Sequence, residues 1–374
     1  MSKSRRKSVR KSVRKSMGKS IKNVNKRKKF FTTKNRTQKS VKVDVDSVVK
    51  SISEKESQYK LSLNNLLVSF RPTVVDPLDV CNLQKAFRYE EKLKYKLNGK
   101  CYAYDSPVAE EYLLKRLKNN NVVSISKIIA PKQIDSNCWF NSMFMMFFIS
   151  DRGRIFFHYM RELMIKGKTL GTIIEPSLRD VFALLNFIVE CCLTGNEVAQ
   201  RLNTNKIIEK IYKLTKEKNI ISYNVGEAGN PIYYYKSLIR YLGRNELKVA
   251  VVNSFTWKKE LKNMDSPHII IIQFHFNNKI KKPLQFSIGK YVYELDSASV
   301  IDNSRQHFCS TITCNGVQFA FDGYSKSRLI PFEWKSKINE NINWGFKDYI
   351  YEFEDDTLWN FTEGYSCLCY YRII

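Results

Sequence analysis

The chain has 374 residues, and its 43% hydrophobic and 13% aromatic content is enough for one large core or two smaller ones. Its nine cysteines, an odd number without paired metal-ligand spacing, argue against a disulfide framework and for a reducing compartment. No apolar run reaches the roughly 18 residues that a membrane-spanning helix needs, and no signal peptide is evident. We therefore expect an intracellular protein without a transmembrane segment, a metal ion or a cofactor.

Most of the formal net charge of +27 lies at the N-terminus, where residues 1–42 contain 18 Lys and Arg and no Asp or Glu. A short K-S-V-R-like repeat runs from Lys7 to Lys22, with serines every four residues. This composition predicts a disordered basic tail over residues 1–44. Such a tail could bind nucleic acid, act as a nuclear-import signal or bind an anionic membrane. A basic amphipathic helix on a partner, a phosphorylated segment and a purely solubilising tail also remain open.

Residues 45–121 are predicted to form an accessory, mostly helical region. Val45–Phe70 has helix-like spacing of apolar residues, and Ala86–Leu97 and Val108–Leu117 are expected to be short amphipathic helices. A strand is expected next, over Val122–Ile129. No motif identifies this region, so it could pack on the rest of the chain or form a separate binding module.

Residues 131–150 read P-K-Q-I-D-S-N-C-W-F-N-S-M-F-M-M-F-F-I-S, with polar residues before Cys138 and an apolar run after it. This pattern predicts a buried helix with Cys138 at its N-terminus, where the helix dipole favours a thiolate. A thiolate attacks carbonyl carbons, and Gln133 could place an amide donor beside the resulting oxyanion. The alternative is that Cys138 is an inert, buried apolar residue.

Helices are expected to continue to residue 217, and strands to follow from about Leu247. The expected helices are Arg152–Thr169, Leu178–Leu193 and Asn205–Glu217. The expected strands are Val249–Phe255, His268–Phe276, Leu284–Ile288 and Tyr291–Leu295. Cys309, Cys314, Cys367 and Cys369 fall in strand-like segments with a spacing that does not suit zinc.

The second candidate motif is a hairpin near the C-terminus. His307 opens an alternating segment, Asn315-Gly316 is a hairpin signal, and Val317–Phe321 is the predicted returning strand. Such a hairpin brings Asp322 back beside His307. A cysteine, a histidine and a carboxylate that orients it make a complete set of nucleophile, base and orienting group. The other histidines near strands lack a returning carboxylate and are expected to be structural.

In this order, the motifs resemble those of papain-like cysteine proteases, and most closely those of the ubiquitin-specific proteases. That family has an amide side chain five residues before the cysteine, then an aromatic residue and an Asn. Its histidine is followed by an aromatic residue, a hairpin and an Asp. Its domain ends on a strand similar to Gly364–Arg372. The matching positions are Gln133, Cys138, Trp139, Asn141, His307, Phe308, Phe321 and Asp322.

The sequence also departs from the family pattern. The family usually has Asn at Gln133, Gly at Gln306 and Tyr at Phe308, and its paired C-x-x-C fingers are absent here. Its Q-x-D-A-x-E-F segment has only a distant counterpart in residues 226–238. The ovarian-tumour deubiquitinases are the second resemblance, through residues 135–140, D-S-N-C-W-F. The order of His307 and Asp322 favours the first family.

The resemblance covers about residues 127–374 and implies an α+β, papain-like catalytic domain over residues 122–374, with a helical lobe and an antiparallel β lobe. It implies that Cys138 is the nucleophile, His307 the base, Asp322 the orienting carboxylate and Gln133 an oxyanion donor. The implied substrates are conjugates of ubiquitin or a ubiquitin-like protein.

Two alternative functions remain open from the sequence. One is a viral protease that processes polyproteins, and the other is a catalytically degenerate structural protein of a virion or of nucleic acid. The abundance of Lys, Asn, Ile and Tyr is typical of AT-rich coding sequence, which favours a large DNA virus and packaging in a virion.

Overall fold

The computed structural model describes residues 40–43, 76–119, 123–169, 172–218, 231–242, 248–305, 307–324, 329–346 and 357–373. Residues 40–374 form one compact unit. The predictions for residues 1–39 and for Val45–Phe70 lie outside the described residues. Residues 40–43, predicted to end the disordered tail, form a short strand instead.

Most of the helices precede residue 243 and most of the sheet follows residue 248, so the expected mixture of helix and sheet is confirmed. The helices are α1 (Leu83–Phe87), α2 (Pro107–Asn119), α3 (Cys138–Phe144), α4 (Asp151–Phe156), α5 (His158–Lys166), α6 (Arg179–Thr194), α7 (Val198–Arg201), α8 (Thr204–Thr215), α9 (Pro231–Leu242), α10 (Trp257–Lys262) and α11 (Trp334–Lys337). The strands are β1 (Ser40–Val43), β2 (Lys94–Leu97), β3 (Lys100–Ala103), β4 (Lys168–Thr169), β5 (Thr172–Ile173), β6 (Val249–Asn253), β7 (Ile269–Phe274), β8 (Gln285–Ile288), β9 (Tyr291–Ile301), β10 (Phe308–Cys314), β11 (Val317–Phe321), β12 (Ile330–Pro331), β13 (Asn343–Phe346) and β14 (Ser366–Arg372).

Within the described residues, one large sheet has the strand order β12–β11–β10–β9–β14–β7–β6, with β8 paired to β9. Its pairs are antiparallel except β6 and β7, which run parallel. The sheet is therefore mixed, and the expectation of an antiparallel lobe is wrong at this edge. A parallel pair needs a crossover connection, and α10 lies in the link between these two strands.

The sheet is covered on both faces, which explains the unbroken apolar sequence of its central strands. In β7, Ile269 and Ile271 pack into the core that the sheet shares with the helices. Ile270 and Ile272 pack into a second core on the opposite face. Successive side chains of a strand point to opposite faces, so a strand covered on both sides reads as continuously apolar.

Three of the predicted helices match the structure: α2, α6 and α8 overlap the segments predicted at residues 108–117, 178–193 and 205–217. The segment predicted as one helix from Arg152 is two helices, α4 and α5, separated at Phe157. The strand predicted over Val122–Ile129 is wrong, because a single 3₁₀ turn at Ile125–Lys127 occupies it.

The helix predicted over Ala86–Leu97 is also wrong. Its second half forms β2, which pairs with β3 across a turn at Asn98-Gly99. Both turn residues have positive φ, 50° and 78°, as a two-residue hairpin turn requires. The sequence carried this Asn-Gly signal, and it outweighs the helix-like spacing before it.

A disulfide joins Cys81 to Cys101 in this same region, next to the hairpin. The sequence argued against a disulfide framework and did not predict this single bridge. The other seven cysteines are free and buried. An odd number of cysteines excludes complete pairing, but it does not exclude one bridge.

A buried ionic cluster connects α2 to the helices of the main core. Glu190 of α6 accepts hydrogen bonds from Arg116 of α2 and from Arg161 of α5. Arg161 also donates to Asn186 at 2.9 Å. The two guanidinium groups and the carboxylate are all nearly inaccessible to solvent. Because buried charges need partners, this cluster fixes α2 against α5 and α6.

We predict that Glu190→Ala lowers the free energy of unfolding by about 3–5 kcal/mol, because it leaves two buried guanidinium groups without their carboxylate. Chemical denaturation monitored by circular dichroism measures the change. Lys218→Ala is the matched control, because it breaks a partly exposed ion pair with Glu175 and should cost about 1 kcal/mol or less. Equal losses in the two variants would contradict the prediction.

Candidate active site

The cysteine predicted as the nucleophile lies at the first position of α3. All seven residues of this helix are buried, and Cys138 itself is 8% exposed. A π-helical segment, Met145–Ile149, continues the helix and is also fully buried. No side chain caps the N-terminus of α3, and its first turn contains no acidic residue. The partial positive charge of the helix start therefore acts on the Cys138 sulfur.

Asn137 fixes the loop that leads into this helix. Its side-chain oxygen accepts from the backbone N–H of Ile134 at 3.1 Å and from the Asn141 amide at 3.3 Å. Its amide donates to the hydroxyl of Thr204 at 2.8 Å. Asn137 is completely buried. The loop that leads into Cys138 is thus fixed by a polar network that extends to Thr204 of α8.

The hairpin β10–β11 has the register expected from the sequence. Asn315 and Gly316 form its turn, with φ of 48° and 73°, and Ser310 lies opposite Phe321. His307 directly precedes β10 and Asp322 directly follows β11. The Nε2 atom of His307 forms a hydrogen bond with Oδ1 of Asp322. The backbone N–H of Tyr324 donates to the same carboxylate oxygen at 3.1 Å.

The Cys138 thiol also influences the charge of the His307 ring. Burial of the imidazole opposes its positive charge, but the charge of Asp322, its hydrogen bond and the nearby Cys138 thiol outweigh burial. Together they raise the pKa of His307 to about 10. Nε2 is engaged with Asp322, whereas Nδ1 is buried and has no hydrogen-bond partner among the described residues. This arrangement favours an imidazolium near neutral pH.

Two aromatic rings contact the His307 imidazole. The ring centroid of Tyr324 lies 4.7 Å from it and that of Trp359 lies 5.8 Å from it. The indole N–H of Trp359 also donates to the backbone oxygen of His307 at 3.3 Å. Aromatic faces attract a cation, so these rings favour the protonated imidazole and restrict its rotation.

Gln133 lies where the cysteine segment meets the turn after Asp322. Its backbone N–H donates to the oxygen of Gly323 at 3.0 Å, and its side-chain amide donates to the oxygen of Asp135 at 3.1 Å. The side chain is buried, at 5% exposure. Gln133 therefore ties the two halves of the site together, and one of its amide hydrogens is used within its own loop.

The structure thus brings the three residues Cys138, His307 and Asp322 together, with Gln133 beside them. Two other histidines expected to be structural have partners elsewhere: His268 accepts from the backbone N–H of Lys248, and His275 bonds to Asn253. Sequence reasoning missed the contacts of Tyr324 and Trp359 with His307. No motif marked these two residues, because their positions depend on the packing of the sheet edge.

Among the described residues, no three His, Cys, Asp or Glu side chains come together in a way that could hold a metal ion. The four cysteines at 309, 314, 367 and 369 are buried in β10 and β14. In the same part of the chain, no helix is long and apolar enough to cross a bilayer.

No protein-family model and no curated protein matches the chain. Among solved structures, it is similar to the SAGA DUB module of Ubp8, Sgf11, Sus1 and Sgf73 bound to monoubiquitin. That alignment has 10% identity over 75% of this chain and 81% of that chain, with a TM-score of 0.41. Another structure of the module gives 12% identity over 88% and 98%, with a TM-score of 0.38. An essential yeast splicing factor gives 8% identity over 78% and 87%, with a TM-score of 0.37.

We predict that Gly323→Ala disrupts the junction between Gln133 and the Asp322 turn. A Cβ atom at Gly323 would lie 2.7 Å from the Cβ of Gln133 and 3.1 Å from its backbone nitrogen, so the backbone must shift. We expect a loss of about 1–3 kcal/mol of unfolding free energy and slower alkylation of Cys138 by iodoacetamide.

Gly316→Ala is the control, because it strains the positive-φ turn at the other end of β11 but meets no atom within 4 Å. It should lower the melting temperature while leaving the alkylation rate of Cys138 unchanged. Wild-type alkylation of Cys138 in Gly323→Ala would show that the junction does not control the site.

Proposed function

We propose that this protein is a thiol-dependent hydrolase, with a papain-like catalytic domain over residues 122–374, that removes ubiquitin or a ubiquitin-like protein from conjugates. The observation that carries the proposal is the meeting of Cys138, at the start of a buried helix, with His307, whose ring is held by Asp322. A thiol, an imidazole and a carboxylate in this order are the groups needed for nucleophilic attack on a carbonyl carbon.

In the proposed first step, the Cys138 sulfur attacks the carbonyl carbon of the scissile bond as a thiolate. His307 holds the proton of the thiol, because its raised pKa keeps the imidazole protonated at neutral pH. Asp322 holds the imidazole by Nε2, so that Nδ1 faces the sulfur and the leaving group.

As the tetrahedral intermediate collapses, the imidazolium gives its proton to the leaving amine, and the carbon–nitrogen bond breaks. A thioester on Cys138 remains. Neutral His307 then takes a proton from a water molecule, whose oxygen attacks the thioester carbon. Cys138 leaves as a thiolate beside the re-formed imidazolium, and the free carboxylic acid is released.

The oxyanion of each tetrahedral intermediate needs hydrogen-bond donors. The backbone N–H of Cys138 is one proposed donor, because it belongs to the start of α3. The side-chain amide of Gln133 is the other; it donates to Asp135 and also acts on the Tyr324 hydroxyl, so it would have to turn toward the oxyanion. Each donor of this kind contributes about 3–4 kcal/mol to lowering the barrier in other enzymes.

Ubiquitin or a ubiquitin-like protein is proposed as the substrate because of the order and spacing of the motifs, not because of the site chemistry alone. A helix-borne cysteine with a hairpin-borne histidine and aspartate resembles the ubiquitin-specific proteases at each matched position. An intracellular location follows from the proposed substrate. Binding of nucleic acid or an anionic surface by the basic tail stays a prediction.

We predict that ubiquitin with an electrophilic C-terminus forms a covalent adduct with the wild-type protein at Cys138. Cys138→Ala should form none, since only a thiolate at this position can displace the electrophile. Intact-protein mass spectrometry followed by peptide mapping measures the adduct. Cys309→Ala is the matched control, because it removes a buried cysteine of β10 and should leave the adduct intact.

An adduct that persists in Cys138→Ala would contradict the assigned nucleophile. If Cys138 reacts with a small alkylating reagent but not with the ubiquitin electrophile, another tag or a polyprotein is the substrate. If neither reagent reacts, the proposed enzymatic function is wrong.

A second prediction concerns the pH dependence of kcat/KM. The pKa of His307 is raised to about 10, so the general acid is present below this pH and is lost as the pH rises through it. Asp322→Asn removes the main charge that raises this pKa, and it should move the alkaline limb down by about 1–3 pH units. A fluorogenic ubiquitin substrate measures both profiles.

The exposed Asp265, which pairs with Lys248, supplies the control variant Asp265→Asn, for which the alkaline limb should not move. An alkaline limb that stays in place in Asp322→Asn would show that this carboxylate does not set the protonation of the base.

A further inference from the structure

Asp302 is a second buried carboxylate near His307, and the mechanism above does not use it. It directly follows β9, five residues before His307, and is 3% exposed. Sequence reasoning gave it no role. A buried carboxylate needs hydrogen-bond donors, and the identity of these donors indicates what the side chain does.

The donors to Asp302 include backbone and hydroxyl groups of its own loop. Its Oδ1 accepts from the backbone N–H of His307 at 2.8 Å, and its Oδ2 accepts from the hydroxyl of Ser304. Its own backbone N–H donates to the oxygen of His307 at 2.8 Å. Asp302 therefore holds both the N–H and the C=O of His307, and Ser304 sets the orientation of the carboxylate.

The loop between these residues is not held by regular pairing alone. Arg305 has φ of 64°, a backbone conformation that residues other than glycine rarely adopt. Its backbone N–H donates to the backbone oxygen of Asp302 at 2.9 Å. A strained backbone conformation of this kind persists only when surrounding contacts hold it in place. The carboxylate of Asp302 closes the loop at the residue that carries the base.

We propose that Asp302 is a positioning residue, which sets the direction of the His307 imidazole by holding the backbone of His307. This inference rests on the thiol-hydrolase function proposed above. Asp322 fixes the far end of the ring, whereas Asp302 fixes the point from which the side chain starts. With one end released, the ring loses the alignment between the Cys138 sulfur and Asp322.

The test compares Asp302→Ala with Asp302→Asn in the full chain. The alanine variant leaves the buried N–H of His307 without an acceptor, and displacement of the base by about 1 Å is expected to lower kcat by about 100-fold. KM should change little, since no substrate contact is removed. The asparagine variant keeps an oxygen for the His307 N–H, and its amide can donate to Ser304, so kcat should stay within a few-fold of wild type.

A second readout separates positioning from general damage to the fold. In the proposed mechanism, His307 takes up the proton of the Cys138 thiol. The rate of Cys138 alkylation by iodoacetamide should therefore fall in Asp302→Ala and recover in Asp302→Asn. Asp296→Ala is the control, because Asp296 is an equally buried carboxylate in β9, about 20 Å from Asp302 along the strand. It should alter stability but not the alkylation rate.

The outcomes distinguish the two proposals. If wild-type Cys138 is inert to both iodoacetamide and a ubiquitin electrophile, the hydrolase function itself fails. If the wild type reacts and Asp302→Ala keeps its kcat and alkylation rate, the positioning role is wrong. An Asp302→Asn variant as impaired as His307→Ala would also overturn it, because the charge and not the hydrogen bond would then matter. If Asp302→Ala does not fold, Asp302→Leu supplies the same comparison with the branching and number of side-chain heavy atoms kept.

Discussion

The hydrogen bond between His307 and Asp322 is the interaction on which the rest of the site depends. Both side chains are buried, where a lone charge is costly, so each ionised group is stable only beside the other. Burial alone would lower the pKa of His307, and the carboxylate reverses that effect. Without Asp322, the pKa of His307 would fall, and its imidazole would hold a proton less firmly. The chemistry proposed for Cys138 therefore depends on Asp322, which follows β11.

The two covered faces of the sheet explain how this pair is kept in place. The face that meets the helices buries α3 and its π-helical extension, and so fixes Cys138. The opposite face buries Trp344 and Trp359, and Trp359 bonds to the backbone of His307. The proposed nucleophile and the proposed base thus depend on different cores that share one sheet. Because close-packed cores resist displacement, the relative position of sulfur and imidazole is set by packing rather than by a flexible loop.

The sequence predicted those parts of the fold that local patterns determine. The apolar run after Cys138, the Asn315-Gly316 turn and the strand before Asp322 follow from burial and turn chemistry, and the structure confirms each element. The turn at Asn98-Gly99 carries the same signal, but the apolar spacing of residues 86–97 predicted a helix there instead. The parallel edge of the sheet and the contacts of Asp302 and Trp359 could not be predicted. They depend on which strands become neighbours, and no local pattern encodes that choice. The papain-like assignment, the roles of the four site residues and a viral origin stay predictions.

The region before Cys138 is joined to the helical core by charge as well as by packing. Arg116 reaches Glu190, and the hydroxyl of Tyr89 donates to the backbone oxygen of Lys206 at 3.2 Å, close to Thr204, which bonds to Asn137. Residues 76–119 therefore contact the same helix, α8, that supports the loop leading into Cys138. A freely attached module would not share these contacts. A change in this region can thus reach the site through α8, even though none of its residues contacts Cys138 in the proposed chemistry.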